Sequence, residues 1–286
     1  MLLALAQLLW AGNFVLGRAV SAHVPPVALS FWRWAVALAL LLPFTWHRVR
    51  DGWPVVRRSI PMLVALGILG VGNFNTLVYL GLGQTTATNA ALLNSACPAF
   101  ILAISPLLGG RRPRLRQALG ILISLTGVLT IVARGDPRTI AGLAFNRGDA
   151  WVLAAVLSWA CYTALLPRRP AGLDPLALLT VLVVVGLGWI APWYAVELVG
   201  GARMQLDLVT AGTLVYVGLM ASVVAYLCWN EGVAAYGPQR SGPFLHLLPV
   251  FAAILATLLL GEAFRPYHAA GFALVLLGLR VADGHR

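Results

Sequence analysis

The sequence contains no lysine and little charge of any kind. Only 10% of its 286 residues are charged, whereas soluble domains run about 25%. A fold with a fully wetted surface is therefore excluded. Acidic residues are the scarcer sign, nine against twenty arginines. They fall in loops or near the ends of apolar runs: Asp51, Asp136, Asp149, Asp174, Asp207, Asp283, Glu197, Glu231 and Glu262. Mid-run carboxylates are what proton-coupled antiporters commonly place in the bilayer, and none is expected here. The three cysteines, Cys97, Cys161 and Cys228, lie inside apolar runs. They give neither a disulfide framework nor a metal spacing and read as small hydrophobes. No metal and no cofactor is expected. HExxH and GxSxG are both absent, and so is a buried Asp pair. An intramembrane hydrolase would have to combine His246 with Ser95 or Ser222 and has no identifiable acid, so the chain is not read as an enzyme.

What is present is apolar sequence. Hydrophobic residues make up 60% and the mean hydropathy is +0.87, more than one core can bury, so lipid must take the rest. Candidate spans fall near 2–21, 26–46, 60–82, 85–109, 115–134, 148–167, 174–198, 207–235, 239–260 and 266–282. At about 20 residues each, ten spans take roughly 200 residues and leave no room for an extramembrane domain. Pro25-Pro26, Trp53-Pro54, Arg112-Pro113, Asp136-Pro137, Arg169-Pro170, Gly237-Pro238 and Arg265-Pro266 punctuate the runs. The first run has no basic leader, and Ser21-Ala22-His23 is a poor cleavage site, so it reads as a retained helix.

The net charge of +11 could point to nucleic acid, but the arginines mark the ends of apolar runs rather than one folded face, and no nucleic-acid partner is expected. With the N-terminus inside, the inner side holds Arg48, Arg50, Arg57, Arg58, Arg111, Arg112, Arg114, Arg116, Arg168, Arg169, Arg240, Arg280 and Arg286. The outer side holds Arg18, Arg134, Arg138, Arg147, Arg203 and Arg265. Thirteen against six predicts both termini in the cytoplasm of a bacterial inner-membrane protein. The remaining one, Arg33, lies within the second span.

The chain also repeats itself. A shift of 151 pairs Gly67 with Gly218, Gly81 with Gly232, Gly110 with Gly261, Gly120 with Gly271 and Gly127 with Gly278. It also pairs Pro98 with Pro249, Phe100 with Phe251 and Leu107-Leu108 with Leu258-Leu259. A shift of 149 pairs Trp10-Ala11 with Trp159-Ala160. Two repeats, 1–135 and 147–283, then hold five spans each. Five is odd, so the second must be inverted in the membrane. Inverted halves are a recurrent basis for alternating access, with the substrate site near the midplane between them.

The stretch 79–98, YLGLGQTTATNAALLNSACP, resembles the third-to-fourth helix signature of the drug/metabolite transporter superfamily, EamA family. Its counterpart from Pro249 through Gly261-Glu262 to Gly271 and Gly278 is similar to the family's ninth-to-tenth helix pattern. Within the family the chain looks most like YddG-type exporters of aromatic and other neutral amino acids. The resemblance implies an all-α membrane fold of ten helices in two inverted repeats and the export of small neutral metabolites. It departs from the family at Gly110-Arg111, where the second half keeps Gly261-Glu262, and Glu262 reads as an interfacial structural residue.

Repeat pairing also nominates site residues. Trp10 pairs with Trp159, Asn75 with Tyr226, Tyr79 with Asn230 and Ser95 with His246. Asn75 and Tyr79 share a helix face, as do Tyr226 and Asn230, and inversion would set the two pairs toward opposite gates. Unpaired amides in lipid cost several kcal/mol, so these groups should face the bundle interior. They either line a pathway or serve as interhelical hydrogen bonds and aromatic anchors. Asn73, Asn94 and Tyr162 are second candidates. His246 could bind substrate or relay a proton, or it could donate to a neighbouring helix. Pro98 and Pro249 break the fourth and ninth spans and are candidate hinges. Arg33 could pair with a substrate carboxylate or snorkel to headgroups among its tryptophans. The reading is a small-molecule transporter, monomeric or dimeric, in a lipid bilayer. Facilitated exchange is favoured, and proton antiport through His246 or Glu231 is the alternative.

Overall fold

The computed structural model describes the chain except residues 21–23, 86, 111, 143–144, 206, 261–264 and 284–286, with backbone alone at 14–15, 17–19, 87–89, 92, 256 and 259–260. Glu262, Arg111 and Arg286 therefore lie outside the described residues, and for Arg18 nothing beyond the backbone is described. The described residues are helical with no strand among them. We name the principal helices α1 (Leu2–Val20), α2 (Pro26–Asp51), α3 (Ile60–Leu82), α4 (Ala87–Ser95), α5 (Cys97–Leu107) and α6 (Leu115–Val132). They are followed by α7 (Arg147–Leu165), α8 (Pro175–Val199), α9 (Leu208–Tyr236), α10 (Leu247–Leu260) and α11 (Pro266–Asp283). Six helical stretches are long and apolar enough to cross a membrane: α2, α3, α6, α8, α9, and α7 with its short 3-10 extension to Arg168. The chain is a multi-pass membrane protein.

Polar residues at the helix ends explain where the acids went. Asp174, before α8, accepts from the backbone N–H of Leu176 and Ala177. Asp207 accepts from Thr210 before α9, and Asn146 and Asp149 form a reciprocal capping box at the start of α7. The start of α2 follows Pro25 and has no cap of its own. Its exposed donors are met from another helix: Glu197, near the end of α8, accepts from Val27 N–H at 3.0 Å and Ala28 N–H at 2.7 Å. At the other end of the same antiparallel pair Arg48 of α2 reaches Asp174 at 3.1 Å. Glu231 pairs with Arg169 at 3.2 Å near the end of α9.

Two helices contain a matched irregularity. Wider π turns run through Gly67–Asn73 in α3 and Val217–Val224 in α9, offset by 150 and 151 residues. The segments around Pro98 and Pro249 are also interrupted. Between α4 and α5 the helix breaks at Ala96, and α10 is preceded by a 3-10 turn over Gly242–His246. Pro98 and Pro249 thus stand in the first turns of α5 and α10, where a missing N–H is cheap. Phe100 and Ala99 both donate to Ala96, so the Ser95 carbonyl is left without a helical donor.

Helices α6 and α11 meet through glycine. A Cβ on Gly120 would lie 2.6 Å from the Gly278 carbonyl oxygen, and one on Gly127 would lie 2.6 Å from that of Gly271. These helices run antiparallel, with only a hydrogen atom's width at each crossing, the close approach that small residues allow in membranes.

Candidate functional site

The middle of the bundle is a cluster of buried aromatic rings. Trp10 of α1 meets Trp159 of α7 edge-on at 5.2 Å and Tyr226 of α9 at 5.8 Å. Trp159 lies 5.1 Å from Tyr162 and 5.9 Å from Trp229, and Trp34 of α2 meets Tyr226 at 5.0 Å. The contacts of Trp10 with Trp159 and Tyr226, and of Trp34 with Tyr226, are edge-to-face, a favoured geometry of aromatic pairs, and the other two are tilted. Trp10 Nε1 donates to the Ala221 carbonyl at 2.9 Å, inside the wide turn of α9. The other three indoles, Trp34, Trp159 and Trp229, have buried Nε1 donors without an acceptor.

Polar groups close this cluster on two sides. Tyr162 donates to Asn230 Oδ1 at 2.7 Å. Tyr79 donates to Asn13 Oδ1 at 3.3 Å. Under the repeat register Asn13 corresponds to Tyr162 and Tyr79 to Asn230, so the same Tyr–Asn pair occurs twice with its members exchanged. Asn75 and Tyr226, expected at separate gates, instead meet each other: Asn75 Nδ2 donates to Tyr226 OH at 3.3 Å, and that hydroxyl donates to the Gly70 carbonyl at 2.6 Å. Gly70 is required there. A Cβ would sit 2.6 Å from the Tyr162 ring.

The structure gathers Trp10, Asn75, Tyr79, Trp159, Tyr162, Tyr226 and Asn230 in this one region. Other candidates lie elsewhere. Asn73 accepts from Trp189 Nε1 at 2.8 Å in an outward-facing groove between α3 and α8. Ser95 and His246 contact each other: His246 Nε2 donates to the Ser95 carbonyl at 2.9 Å, while Nδ1 lies 2.5 Å from Ser124 Oγ. The carbonyl released at the Pro98 break is thereby taken up by the turn before α10. Asn94 is half-buried on α4.

Arg33, which the sequence left between a substrate contact and an anchor among headgroups, belongs to the same cluster. It does not snorkel. Its side chain is fully buried, and the guanidinium donates to Ser222 at 2.9 Å, Asn75 Oδ1 at 2.8 Å, Tyr79 OH at 2.9 Å and Asn13 Oδ1 at 3.4 Å. All of these acceptors are neutral. Asn13, Ser222, Trp34 and Trp229 join the cluster without having been nominated for it, since a pattern of residue types does not reveal which helix faces converge. Gln7, also fully buried on α1, has neither amide atom paired. No group of three or more metal-ligating side chains occurs among the described residues.

The chain is a multi-pass helical bundle with a polar, aromatic interior, and comparison with known proteins gives its family. A model of the EamA-like transporter family matches residues 1–133 and again residues 146–282. The chain belongs to the EamA-like transporter family. It is 26% identical over 275 residues to "Uncharacterized transporter YyaM" of Bacillus subtilis, covering 95% of this chain and 89% of that one. It is 24% identical over 288 residues to a "Probable amino-acid metabolite efflux pump" of Escherichia coli, covering 97% and 92%. With a "Probable terminal-alkyne amino-acid exporter" of Streptantibioticus cattleyicolor it shares 27% over 230 residues, 79% and 74% of the two chains. A solved structure superimposes with a TM-score of 0.80 at 20% identity, covering 98% of this chain and 94% of that chain, which shows the fold.

Proposed function

We propose that the chain is a ten-span transporter of two inverted five-helix repeats, 1–135 and 147–283. In this reading it exports small neutral metabolites, foremost neutral and aromatic amino acids, by alternating access. The observation that carries the reading is contact between repeat equivalents. Asn75 touches Tyr226 and Ser95 touches His246, each 151 residues apart, and Trp10 touches Trp159. Such pairs meet when they lie near a two-fold axis. The equivalent helices α6 and α11 run antiparallel, Gly120 against Gly278 and Gly127 against Gly271, as inversion requires. The amino-acid efflux names of two relatives support the substrate class.

The aromatic cluster is the barrier between two access routes, with Tyr79–Asn13 and Tyr162–Asn230 as its two gates. In the ten-span reading thirteen arginines fall on the side of both termini and six on the other, which supports cytoplasmic termini in an inner membrane. Among the described residues the carboxylates cap helices, pair with arginines or lie in loops. A fixed carboxylate at mid-depth is what strong proton coupling would use, so facilitated exchange is the favoured mechanism.

The test is uptake of labelled tryptophan, phenylalanine, threonine and a cationic drug into proteoliposomes, with and without a pH gradient. Amino-acid flux that persists without the gradient is expected. Flux lost with the gradient would replace exchange by proton antiport, and no flux of any amino acid would remove the substrate class.

A further inference from the structure

The guanidinium of Arg33 carries an unbalanced charge. Nε and Nη1 are occupied by Ser222, Asn13, Asn75 and Tyr79, but Nη2 is buried with no acceptor. The ring of Trp34, 5.2 Å from the guanidinium carbon, covers one side and offers only a cation–π contact. A desolvated cation held by neutral dipoles is costly unless an anion completes it. The neighbouring indoles of Trp34, Trp159 and Trp229 add three more buried donors that lack acceptors. This interior is short of acceptors, and one position in it is charged.

The repeat shows that the charge is no by-product of the fold. Pro26 and Pro43 of α2 match Pro175 and Pro192 of α8 at the same shift of 149 that joins Trp10 to Trp159. In that register Arg33 corresponds to Leu182, and Ser222, at a shift of 151, to Val71, both fully buried. The Tyr162–Asn230 gate therefore faces an apolar pair where the Tyr79–Asn13 gate faces a hydrogen-bonded arginine. Only one of two otherwise similar gates is built to hold an anion.

We propose that Arg33 is the carboxylate anchor of the substrate site, taking a monocarboxylate through Nη2 on the Tyr79–Asn13 side of the aromatic cluster. A carboxylate fits better than a phosphate ester. One guanidinium with one free nitrogen balances a single charge. Arg33 lies about 10 Å along α2 from its first residue, within reach of solute only when that gate opens. This inference rests on the transporter reading and names the feature of the substrate that its site recognises.

The test compares four ligands of similar shape: phenylalanine, 3-phenylpropanoate, phenylalaninamide and phenethylamine. The readouts are stabilisation of the detergent-solubilised protein against heating and competition with labelled phenylalanine in proteoliposomes. The two carboxylates are expected to bind about tenfold to a hundredfold more tightly than the two cations. Arg33→Gln should erase that preference, and Arg33→Lys should keep part of it. The comparison on the unaltered protein needs no variant to fold. Equal binding of phenylalaninamide and phenylalanine, binding of neither carboxylate, or a folded Arg33→Gln protein that keeps the preference would each overturn the anchor. Equal flux of phenylalanine and its amide would remove the anchor and leave the transporter reading standing. Binding of 3-phenylpropanoate without flux of any amino acid would keep the anchor and remove the amino-acid substrate class.

Discussion

Asn75 and Tyr226, 151 residues apart, share a hydrogen bond of 3.3 Å in the middle of the bundle, and the same phenolic oxygen donates to the Gly70 carbonyl at 2.6 Å. One hydroxyl thus joins the wide turn of α3 to the segment just beyond its counterpart in α9. Tyr226→Phe keeps the ring contacts with Trp10 and Trp34 but leaves Asn75 Nδ2 and the Gly70 carbonyl without this partner. A loss of about 1 kcal/mol is expected, read as a lower unfolding midpoint in detergent, together with slower flux. Unchanged stability and flux in the folded variant would reduce the bond to an incidental contact.

Repeat arithmetic made this relationship visible and also hid part of it. It set Asn75 beside Tyr226 and Trp10 beside Trp159, and the structure brings both pairs into contact. It could not show that Asn75 and Tyr226 touch, because a register between residue numbers carries no distance. The wide turns at Gly67–Asn73 and Val217–Val224 were illegible, since a π turn and an α turn of apolar residues have nearly the same hydropathy pattern. Such a turn rotates the remainder of its helix, and Asn73 faces Trp189 while Asn75 faces the interior. Arg33 was legible as a residue two turns inside a span. Its burial was not, because that depends on Asn13, Asn75, Tyr79 and Ser222 converging from three other helices.

The glycine crossing of α6 and α11 gives a prediction with a strong direction. At Gly127 an added Cβ meets the Gly271 carbonyl oxygen at 2.6 Å, and backbone cannot step aside as a flexible side chain can. Gly127→Val is expected to cost about 1–3 kcal/mol or more through overpacking. Gly188→Val is the control, since nothing lies within 4 Å of a Cβ there. Equal unfolding midpoints for the two variants would contradict the close crossing.

Glu197 caps a helix that it does not belong to. Glu197→Ala removes the acceptors of Val27 and Ala28 N–H and should cost about 1 kcal/mol, the usual scale of a lost N-terminal cap. Glu197→Gln keeps one acceptor oxygen but loses the charge at the helix N-terminus, so a smaller loss is expected. Amide exchange at Val27 and Ala28 is the direct measurement. It should accelerate most in the alanine variant, and identical exchange in all three proteins would exclude the cap.

His246 separates a tether from a proton relay. Its Nε2 must donate to the Ser95 carbonyl, because a carbonyl only accepts, and its Nδ1 faces Ser124. Both ring nitrogens are therefore engaged between α4, α6 and the turn before α10. The Ser95 carbonyl is free to be bound because the helix breaks ahead of Pro98, which makes the bond a strut across two interrupted segments. His246→Gln can still donate an amide N–H to that carbonyl, whereas His246→Phe cannot. The glutamine variant should retain most of the flux and stability, and the phenylalanine variant should lose about 1–2 kcal/mol from the stranded acceptor. A relay predicts a different outcome, because glutamine cannot titrate. Dependence of flux on pH should be the same in the glutamine variant and the unaltered protein, and an altered pH dependence in the folded variant would restore His246 to the transport chemistry.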